Sequence, residues 1–179
     1  MSGLAISGKA GSGKSTMAKH VLAACEERGI PVVRVAFGDE LKREVMELYG
    51  IDKHMVGGRE ALIRHCEQRR QEDPFYWIKP VAQRVRLAQV CGVLPVIDDL
   101  RFLTEYRWAQ GVGLVTVRMV ASAEWRAVRL ERQGLDPWIT DSSSVTETEL
   151  DGIRHQHVVR NFRGATLEAR AVQLLASAV

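Results

Sequence analysis

The first residues with a chemical pattern lie close to the start of the chain. Residues 8–15 read Gly-Lys-Ala-Gly-Ser-Gly-Lys-Ser, and a threonine follows them. This spacing is that of the Walker A motif, in which glycines let successive backbone N–H groups turn toward phosphate oxygens. The segment is therefore predicted to be a phosphate-binding loop, or P-loop. The residues expected to hold the phosphates are Gly8, Ala10, Gly11, Ser12, Gly13, Lys14, Ser15 and Thr16.

The chemistry of this motif needs a lysine and a hydroxyl in its last two positions and a carboxylate on a nearby strand. Lys14 is placed to reach the β- and γ-phosphates of a nucleotide, and the Ser15 hydroxyl to ligate Mg²⁺. The apolar run 94–97 ends in Asp98 and Asp99, where ligands of open α/β sheets bind. Strand register decides which carboxylate faces the metal. The alternative is a pair of solvated turn residues.

Three arginines share the spacing of one helix face. Arg126, Arg129 and Arg132 follow one another at i, i+3 and i+6, close to a long polar loop. Arginines in such a place can close over a transferring phosphoryl group and neutralise its charge. Arg126 and Arg129 are therefore candidate catalytic residues. The alternative is a solvated helix face paired with Glu124 and Glu131.

These residues need a scaffold of alternating strands and helices. Short apolar runs alternate with segments of helical periodicity along the chain, which predicts an α/β layered fold. The predicted strands are 4–7, 32–37, 94–97, 114–120 and 158–159. The predicted helices are 13–28, one that begins at Asp39 as its N-cap, 59–70 and 74–90.

The whole chain, 1–179, is expected to form one domain. A single core is the norm at this length, and no linker, internal repeat or low-complexity tract divides the sequence. The segment between the second and third strands is unusually long for one crossover connection. It is either a substrate-binding helical region or a plain pair of packing helices. Residues 132–151 form the one long loop, and loops of this length are usually functional or disordered.

Composition and charge exclude several classes of protein. With 46% hydrophobic and 26% charged residues, the chain is neither disordered nor collagen-like. A net charge of +3 does not indicate a nucleic-acid groove, and no apolar run approaches the roughly 20 residues of a membrane span. No leader pattern is found, so a cytoplasmic protein is expected. Cys25, Cys66 and Cys91 are expected to be reduced thiols, and His155 and His157 to be surface residues.

Several further segments, taken in their order, resemble phage-type deoxynucleoside monophosphate kinases, relatives of adenylate kinase and dephospho-coenzyme A kinase. They are Phe-Gly-Asp-Glu-Leu-Lys at 37–42, Phe-Tyr-Trp-Ile-Lys at 75–79, Asp-Leu-Arg-Phe at 99–102, Glu-Thr-Glu-Leu-Asp at 147–151, and Asn161 with the helical segment after it. The resemblance covers nearly the whole chain. Two departures are Leu-Thr after Arg-Phe, where the family has Pro-Asn, and Ser-Val-Thr-Glu at 144–147, where it has His-Pro-Ser-Glu.

The resemblance implies the P-loop kinase fold, with a parallel five-stranded sheet and helices on both faces. It also implies a helical acceptor-binding region at about 38–92, a mobile lid at about 122–151, and ATP and Mg²⁺ as cofactors. Trp77 either stacks near a base or is buried in the core, and Asn161, with Arg163, either borders the adenine or makes the turn before the last helix. The residues implied around the acceptor are Asp39, Lys42, Arg43, Trp77 and Arg101.

The leading functional hypothesis is transfer of the γ-phosphoryl group of ATP to a deoxynucleoside monophosphate. The alternatives are another small-molecule P-loop kinase, acting on dephospho-coenzyme A or a hydroxylated metabolite, and a non-enzymatic nucleotide-binding switch. A small-molecule partner is expected, without nucleic acid or membrane partners. The oligomeric state stays open, with a homodimer as one alternative, and the location would be the host cytoplasm if the protein comes from a phage.

Overall fold

The sheet of the protein has five parallel strands. The computed structural model describes residues 1–52, 54–135, 145–162 and 166–179. In this part of the chain the strands are β1 (Leu4–Gly8), β2 (Val32–Val35), β3 (Leu94–Leu100), β4 (Val115–Val120) and β5 (His157–Arg160). Their order in the sheet is β2-β3-β1-β4-β5, so the P-loop strand is central. The α/β fold and the parallel five-stranded sheet are confirmed.

Helices connect the strands and cover both faces of the sheet. They are α1 (Lys14–Glu26), α2 (Phe37–Tyr49), α3 (Gly58–Glu72), α4 (Ile78–Val90), α5 (Leu103–Gly111), α6 (Ala123–Arg132), α7 (Val145–Thr148) and α8 (Leu167–Ala178). Three of them, α2 to α4, lie between β2 and β3. None of the helices in the described ranges is long and apolar enough to cross a membrane.

The hydrophobic core is divided by the sheet into two clusters. On one face Met17 and Val21 of α1 pack with Leu174 of α8 against the strands. On the other face Val81 of α4 packs in a second cluster with residues of β3 and α5, Ile97 among them. Full burial of an aliphatic side chain stabilises a fold by about 1.5–3 kcal/mol. The β1 strand contributes to both clusters, which fixes the strand that carries the P-loop.

The second helix begins earlier than its sequence predicts. Strand β2 ends at Val35 and α2 begins at Phe37, so Asp39 lies in the first turn rather than at the N-cap. The reason is a cap from another element: the Asp99 carboxylate accepts hydrogen bonds from the backbone N–H groups of Phe37 (3.1 Å) and Gly38 (2.7 Å). These N-terminal N–H groups have no partner inside the helix, so a carboxylate from β3 stabilises an early start.

His155 is buried, so the prediction of a surface histidine was wrong for this residue. Only 6% of it is exposed, and its Nε2 lies 2.8 Å from the Ser7 hydroxyl on β1. Its Nδ1 lies 3.0 Å from the carbonyl oxygen of Ile153. Burial lowers the pKa of His155, which favours the neutral imidazole. Sequence separation hid this contact, because the segment before β5 folds back over β1.

Part of the predicted lid falls outside the described residues, which omit 136–144. Arg163, predicted to lie near the adenine or the turn before the last helix, also falls outside them. The division of the chain into one domain with an acceptor region and a lid stays a prediction.

The helices between β2 and β3 are joined by the carboxylate of Glu44 on α2. It lies 2.9 Å from Nε2 of His65 and accepts hydrogen bonds from Nε of Arg69 (3.0 Å) and the hydroxyl of Tyr76 (2.9 Å). Burial acts to raise the pKa of Glu44, but the hydrogen bonds from His65, Tyr76 and Arg69 hold it below its usual value. This one carboxylate therefore holds α2 against α3 and the chain that enters α4.

Glu44→Ala is expected to lower the free energy of unfolding by about 1–3 kcal/mol, because three donors lose a common acceptor. The folded-state pKa of Glu44 is depressed, so its contribution is present above the unfolded pKa near 4.5 and is lost as the pH falls through the folded value. Urea unfolding at neutral and acidic pH measures this difference. Glu47→Ala, on the exposed surface of the same helix, is the control. An equal loss in both variants would contradict the role of Glu44.

Candidate nucleotide site

The P-loop connects the end of β1 to the start of α1, as the motif requires. Gly11 and Gly13 adopt left-handed φ angles of 72° and 97°, which favour glycine. A Cβ atom at Gly11 would lie 2.7 Å from the carbonyl oxygen of Arg126, and one at Gly13 would collide with the side-chain amide of Asn161. The glycines therefore allow both a tight turn and close contact with neighbouring elements. The N-terminus of α1 adds a partial positive charge that favours an anion.

Lys14 folds back over the loop that precedes it. Its Nζ donates to the carbonyl oxygens of Gly8 (2.5 Å) and Lys9 (3.1 Å), and only 9% of the residue is exposed. Burial, and to a lesser degree the positive charge of Arg101, lower the pKa of Lys14 to about 8. An anion bound beside Lys14 would relieve this positive crowding and favour the charged amine.

The arginines predicted to be catalytic lie against the outer side of the P-loop. Arg126 donates to the carbonyl oxygen of Ala10 (3.4 Å), and Arg129 to that of Gly11 (3.3 Å). Asn161 joins them, since its side-chain amide donates to the carbonyl oxygen of Ser12 (2.9 Å). These side chains therefore contact the backbone of the loop.

Glu147 on α7 binds the backbone of the P-loop, although the sequence did not mark it as a candidate site residue. Its Oε2 accepts a hydrogen bond from the backbone N–H of Ala10 at 2.7 Å, and its Oε1 lies 3.2 Å from Nη1 of Arg101. Only 7% of Glu147 is exposed. A carboxylate thus takes a backbone donor of the kind that P-loops present to phosphate. The partners are 137 residues apart, so no local spacing could reveal the contact.

The two predicted metal carboxylates lie where the register of β3 against β1 shifts, and they have different partners. Asp98 is 4% exposed and lies 2.9 Å from a guanidinium nitrogen of Arg34. Asp99 faces α2, where it caps the helix, and its charge lies close enough to act on Lys14. Burial raises the pKa of Asp99, while the N–H of Gly38 opposes that rise. Asp99 is therefore the carboxylate on the side of the P-loop lysine.

The residues predicted for the acceptor divide into separate groups. Asp39 accepts from Arg34 (2.6 Å) and Lys42 (3.0 Å), in a network that also includes Asp98. Arg101 lies with Glu147 at the P-loop.

Two other predicted acceptor residues have different partners. Arg43 pairs with Glu40 and Glu47 on α2, apart from the Asp39 network. Trp77 is 4% exposed and packs edge-on against Tyr76 in the core, so the structure agrees with the core alternative rather than a stacking site.

The donor set at the P-loop suits magnesium. Ser15 and Thr16 are exposed at the start of α1. No cluster of three His, Cys, Asp or Glu side chains with metal-binding geometry occurs among the residues that the structure describes. Mg²⁺ commonly uses one or two carboxylates together with substrate phosphates and water, rather than a full protein cage. The Ser15 hydroxyl and the Asp99 carboxylate are oxygen donors of this chemical kind, and both oxygens of Asp99 also accept hydrogen bonds from the start of α2.

A cavity of about 430 Å³ opens beside the P-loop. Its lining includes Lys9 and Ser12 of the loop, Arg118 of β4 and Arg126 of α6. Asp151, also in the lining, lies 2.7 Å from Lys9 and 2.5 Å from Arg118. Small-molecule sites commonly have volumes of about 300–1,000 Å³, so there is room for a ligand next to the phosphate-binding backbone.

Known proteins resemble the chain in structure only. No family model matches it, and no curated protein matches its sequence. An APS kinase from Mycobacterium tuberculosis, solved with AMPPNP and APS, is 15% identical, with 97% of this chain and 96% of the other covered and a TM-score of 0.58. The chain has the P-loop kinase fold.

Two other solved structures agree with this fold. A protein from Thermus thermophilus is 20% identical, with 97% of this chain and 95% of the other covered and a TM-score of 0.60. A tunicamycin resistance protein from Deinococcus radiodurans is 18% identical, with 97% and 93% covered and a TM-score of 0.56. The likenesses extend over nearly the whole chain, so they include the helices around the P-loop as well as the sheet.

Glu147→Gln is expected to tighten the binding of MgATP by about tenfold. The amide removes a negative charge that would repel a phosphate at the N–H of Ala10, yet it nearly preserves the shape of the side chain. Isothermal titration calorimetry measures the change. Glu149→Gln is the matched control, because that carboxylate accepts from the backbone of Leu103 instead. Unchanged or weaker binding in the Glu147 variant would contradict this electrostatic role.

Binding of MgATP at pH 8 is expected to take up protons, because Lys14 is about half neutral at its pKa of about 8 and a bound phosphate favours its charged form. The affinity should therefore fall as the pH rises above 8. Calorimetry in buffers of different ionisation enthalpy measures the uptake. Lys14→Arg provides the control, since a guanidinium does not titrate in this range. Equal proton uptake by this variant would show that another group is responsible.

Proposed function

We propose that this protein is an ATP-dependent kinase that transfers the γ-phosphoryl group to a deoxynucleoside monophosphate and forms the diphosphate. The observation that carries the proposal is the meeting of two cationic groups at the carboxyl ends of β1 and β3. Lys14 belongs to the P-loop, and Arg101 follows β3 and is linked to the same loop by Glu147, which also accepts from the N–H of Ala10. Two anions, a donor and an acceptor, would suit this pair.

The donor side of the proposal rests on the P-loop. Its backbone N–H groups and Lys14 would hold the phosphates of ATP, with Ser15 and Asp99 as the ligands of Mg²⁺. Bound Mg²⁺ would neutralise charge on the phosphate oxygens. Asp98 is less suited to this task, because its partner is Arg34. The likeness to an APS kinase solved with AMPPNP supports a nucleotide in this fold.

The acceptor side favours a phosphate over a hydroxyl group. Burial acts to raise the pKa of Asp39, but hydrogen bonds from Lys42 and Arg34 bring it below the usual value. A carboxylate with a lowered pKa is a weak general base, whereas a hydroxyl acceptor needs a base. A phosphate monoester needs none, since its second pKa of about 6 leaves it largely ionised at neutral pH. Lys42, Arg34 and Arg101 are the proposed cationic contacts of this acceptor.

Catalysis in this proposal is positioning and charge neutralisation. Lys14 would stabilise charge on the transferring group, while Arg126, which donates to the carbonyl oxygen of Ala10, would act through the backbone of the loop. Glu147 holds both the N–H of Ala10 and Arg101. If this carboxylate moved away, both groups would become available to bind phosphate at the same time.

A panel of acceptors with ATP and Mg²⁺ tests the function. Deoxynucleoside monophosphates should be phosphorylated, while dephospho-coenzyme A and hydroxylated metabolites should not. ADP formation coupled to a reporter enzyme measures turnover. No turnover of any nucleoside monophosphate would overturn the proposal, and tight ATP binding without acceptor-stimulated turnover would indicate a switch.

Two substitutions tie that activity to this site. Lys14→Ala is expected to reduce kcat by at least about a hundredfold, because the charge beside the transferring group is lost. Lys19→Ala, on the exposed surface of α1, should behave like the wild type. Asp39→Asn should cost less than about tenfold in kcat if the acceptor is a phosphate. A loss as large as that of Lys14→Ala would point to a hydroxyl acceptor instead.

A further inference from the structure

The P-loop is held from outside by side chains that bind three successive carbonyl oxygens. Arg126 donates to Ala10, Arg129 to Gly11 and Asn161 to Ser12. The side chains come from α6 and from the residue that follows β5. Elements distant in sequence thus converge on one short stretch of backbone.

Asn161 is fixed at the centre of this arrangement. It is 6% exposed, and its backbone N–H donates to the carbonyl oxygen of Val120 at the end of β4 (2.7 Å). Its side-chain nitrogen donates to Ser12, and its side-chain oxygen accepts from Nη2 of Arg129 at 2.9 Å. The Asn161 side chain therefore has a hydrogen-bond partner on each side. It can approach the loop this closely because position 13 is a glycine, where a Cβ atom would collide with its amide.

Arg129 completes the link by using two nitrogens of one guanidinium. Nη1 donates to the carbonyl oxygen of Gly11 at 3.3 Å, while Nη2 donates to Asn161. A planar guanidinium can hold two such acceptors in a fixed geometry, whereas a lysine amine cannot reproduce that fork. Burial lowers the pKa of Arg129.

These contacts set the direction of the loop N–H groups. A peptide unit is planar and trans, so its C=O and N–H point in opposite directions. Because the carbonyl of Ala10 faces Arg126 and that of Ser12 faces Asn161, the N–H groups of Gly11 and Gly13 point away from those side chains. The N–H of Ser12 instead donates within the loop, to Lys9 at 3.1 Å. The phosphate donors are thus oriented before any ligand arrives, which reduces the cost of binding.

We propose that Arg129 and Asn161 are positioning residues that orient the P-loop for a polyphosphate, and that Asn161 acts through the backbone of the loop rather than on the nucleotide base. The inference rests on the proposed nucleotide site. It assigns the pair to the recognition of phosphate, so it applies to any ligand with a polyphosphate chain.

Asn161→Asp tests the proposal with a side chain of the same shape. It keeps an oxygen for Arg129 but replaces the donor to Ser12 by a second oxygen. The dissociation constants of MgATP and of magnesium tripolyphosphate, which has no base, should both rise by at least about tenfold and by similar factors. A loss confined to MgATP would show that Asn161 contacts the base. Unchanged affinity for both probes would also overturn the proposal.

Arg129→Lys is the second variant, because it keeps the charge and removes only the fork. It should weaken the binding of both probes by the same factor, while the KM of the acceptor changes less than twofold. Arg170→Lys, on the exposed surface of α8, is the matched control. Thermal unfolding of each variant identifies any loss that comes from misfolding.

Hydrogen exchange of the ligand-free protein gives a readout that does not depend on the proposed activity. Both variants should speed the exchange of amides 10–13 by at least about fivefold, with the later turns of α1 unchanged. If the loop amides exchange as in the wild type, the positioning role is wrong even if the protein is a kinase. If the wild type binds neither probe but the two variants still speed the exchange of the loop amides, the proposed nucleotide site is wrong instead.

Discussion

The proposed nucleotide site depends on a stretch of backbone whose N–H groups would have to face an anion. Residues 9–13 cannot do this with ladder hydrogen bonds, since they lie between a strand and a helix. The carbonyl oxygens of Ala10, Gly11 and Ser12 are bound instead by side chains from other elements, namely Arg126, Arg129 and Asn161. Buried backbone polar groups need partners. In this loop the partners also decide which way the peptide units turn, so the positions of α6 and of the residue after β5 affect the proposed binding site.

The charges around the P-loop are balanced inside the protein. Lys14 and Arg101 are close enough that one lowers the pKa of the other. Glu147 offsets this crowding from α7 and Asp99 offsets it from β3, since both act to raise the pKa of Lys14. The same carboxylates have structural tasks, because Glu147 binds the loop backbone and Asp99 caps α2. A ligand with several negative charges would therefore alter the charge balance of the loop, α7 and the start of α2 together.

The helices between β2 and β3 combine a rigid interior with a charged edge. Glu44 holds them together through His65, Arg69 and Tyr76. Lys42 on α2 and Arg34 on the adjacent strand β2 pair with carboxylates and remain 45% and 40% exposed. A region built in this way can keep its shape while its surface cations exchange one anionic partner for another. That property would suit the proposed phosphate acceptor.

Local patterns in the sequence determined the class of the fold and the phosphate-binding loop. The Walker spacing at residues 8–15 and the alternation of strands and helices depend on neighbours within a few turns, so they are readable without coordinates. Only the tertiary structure decided that Asp99 starts α2, that Glu147 reaches Ala10, and that Asn161 supports Ser12. The last two contacts join residues 137 and 149 positions apart. Such contacts depend on how whole elements pack against one another, and no short-range periodicity encodes that packing.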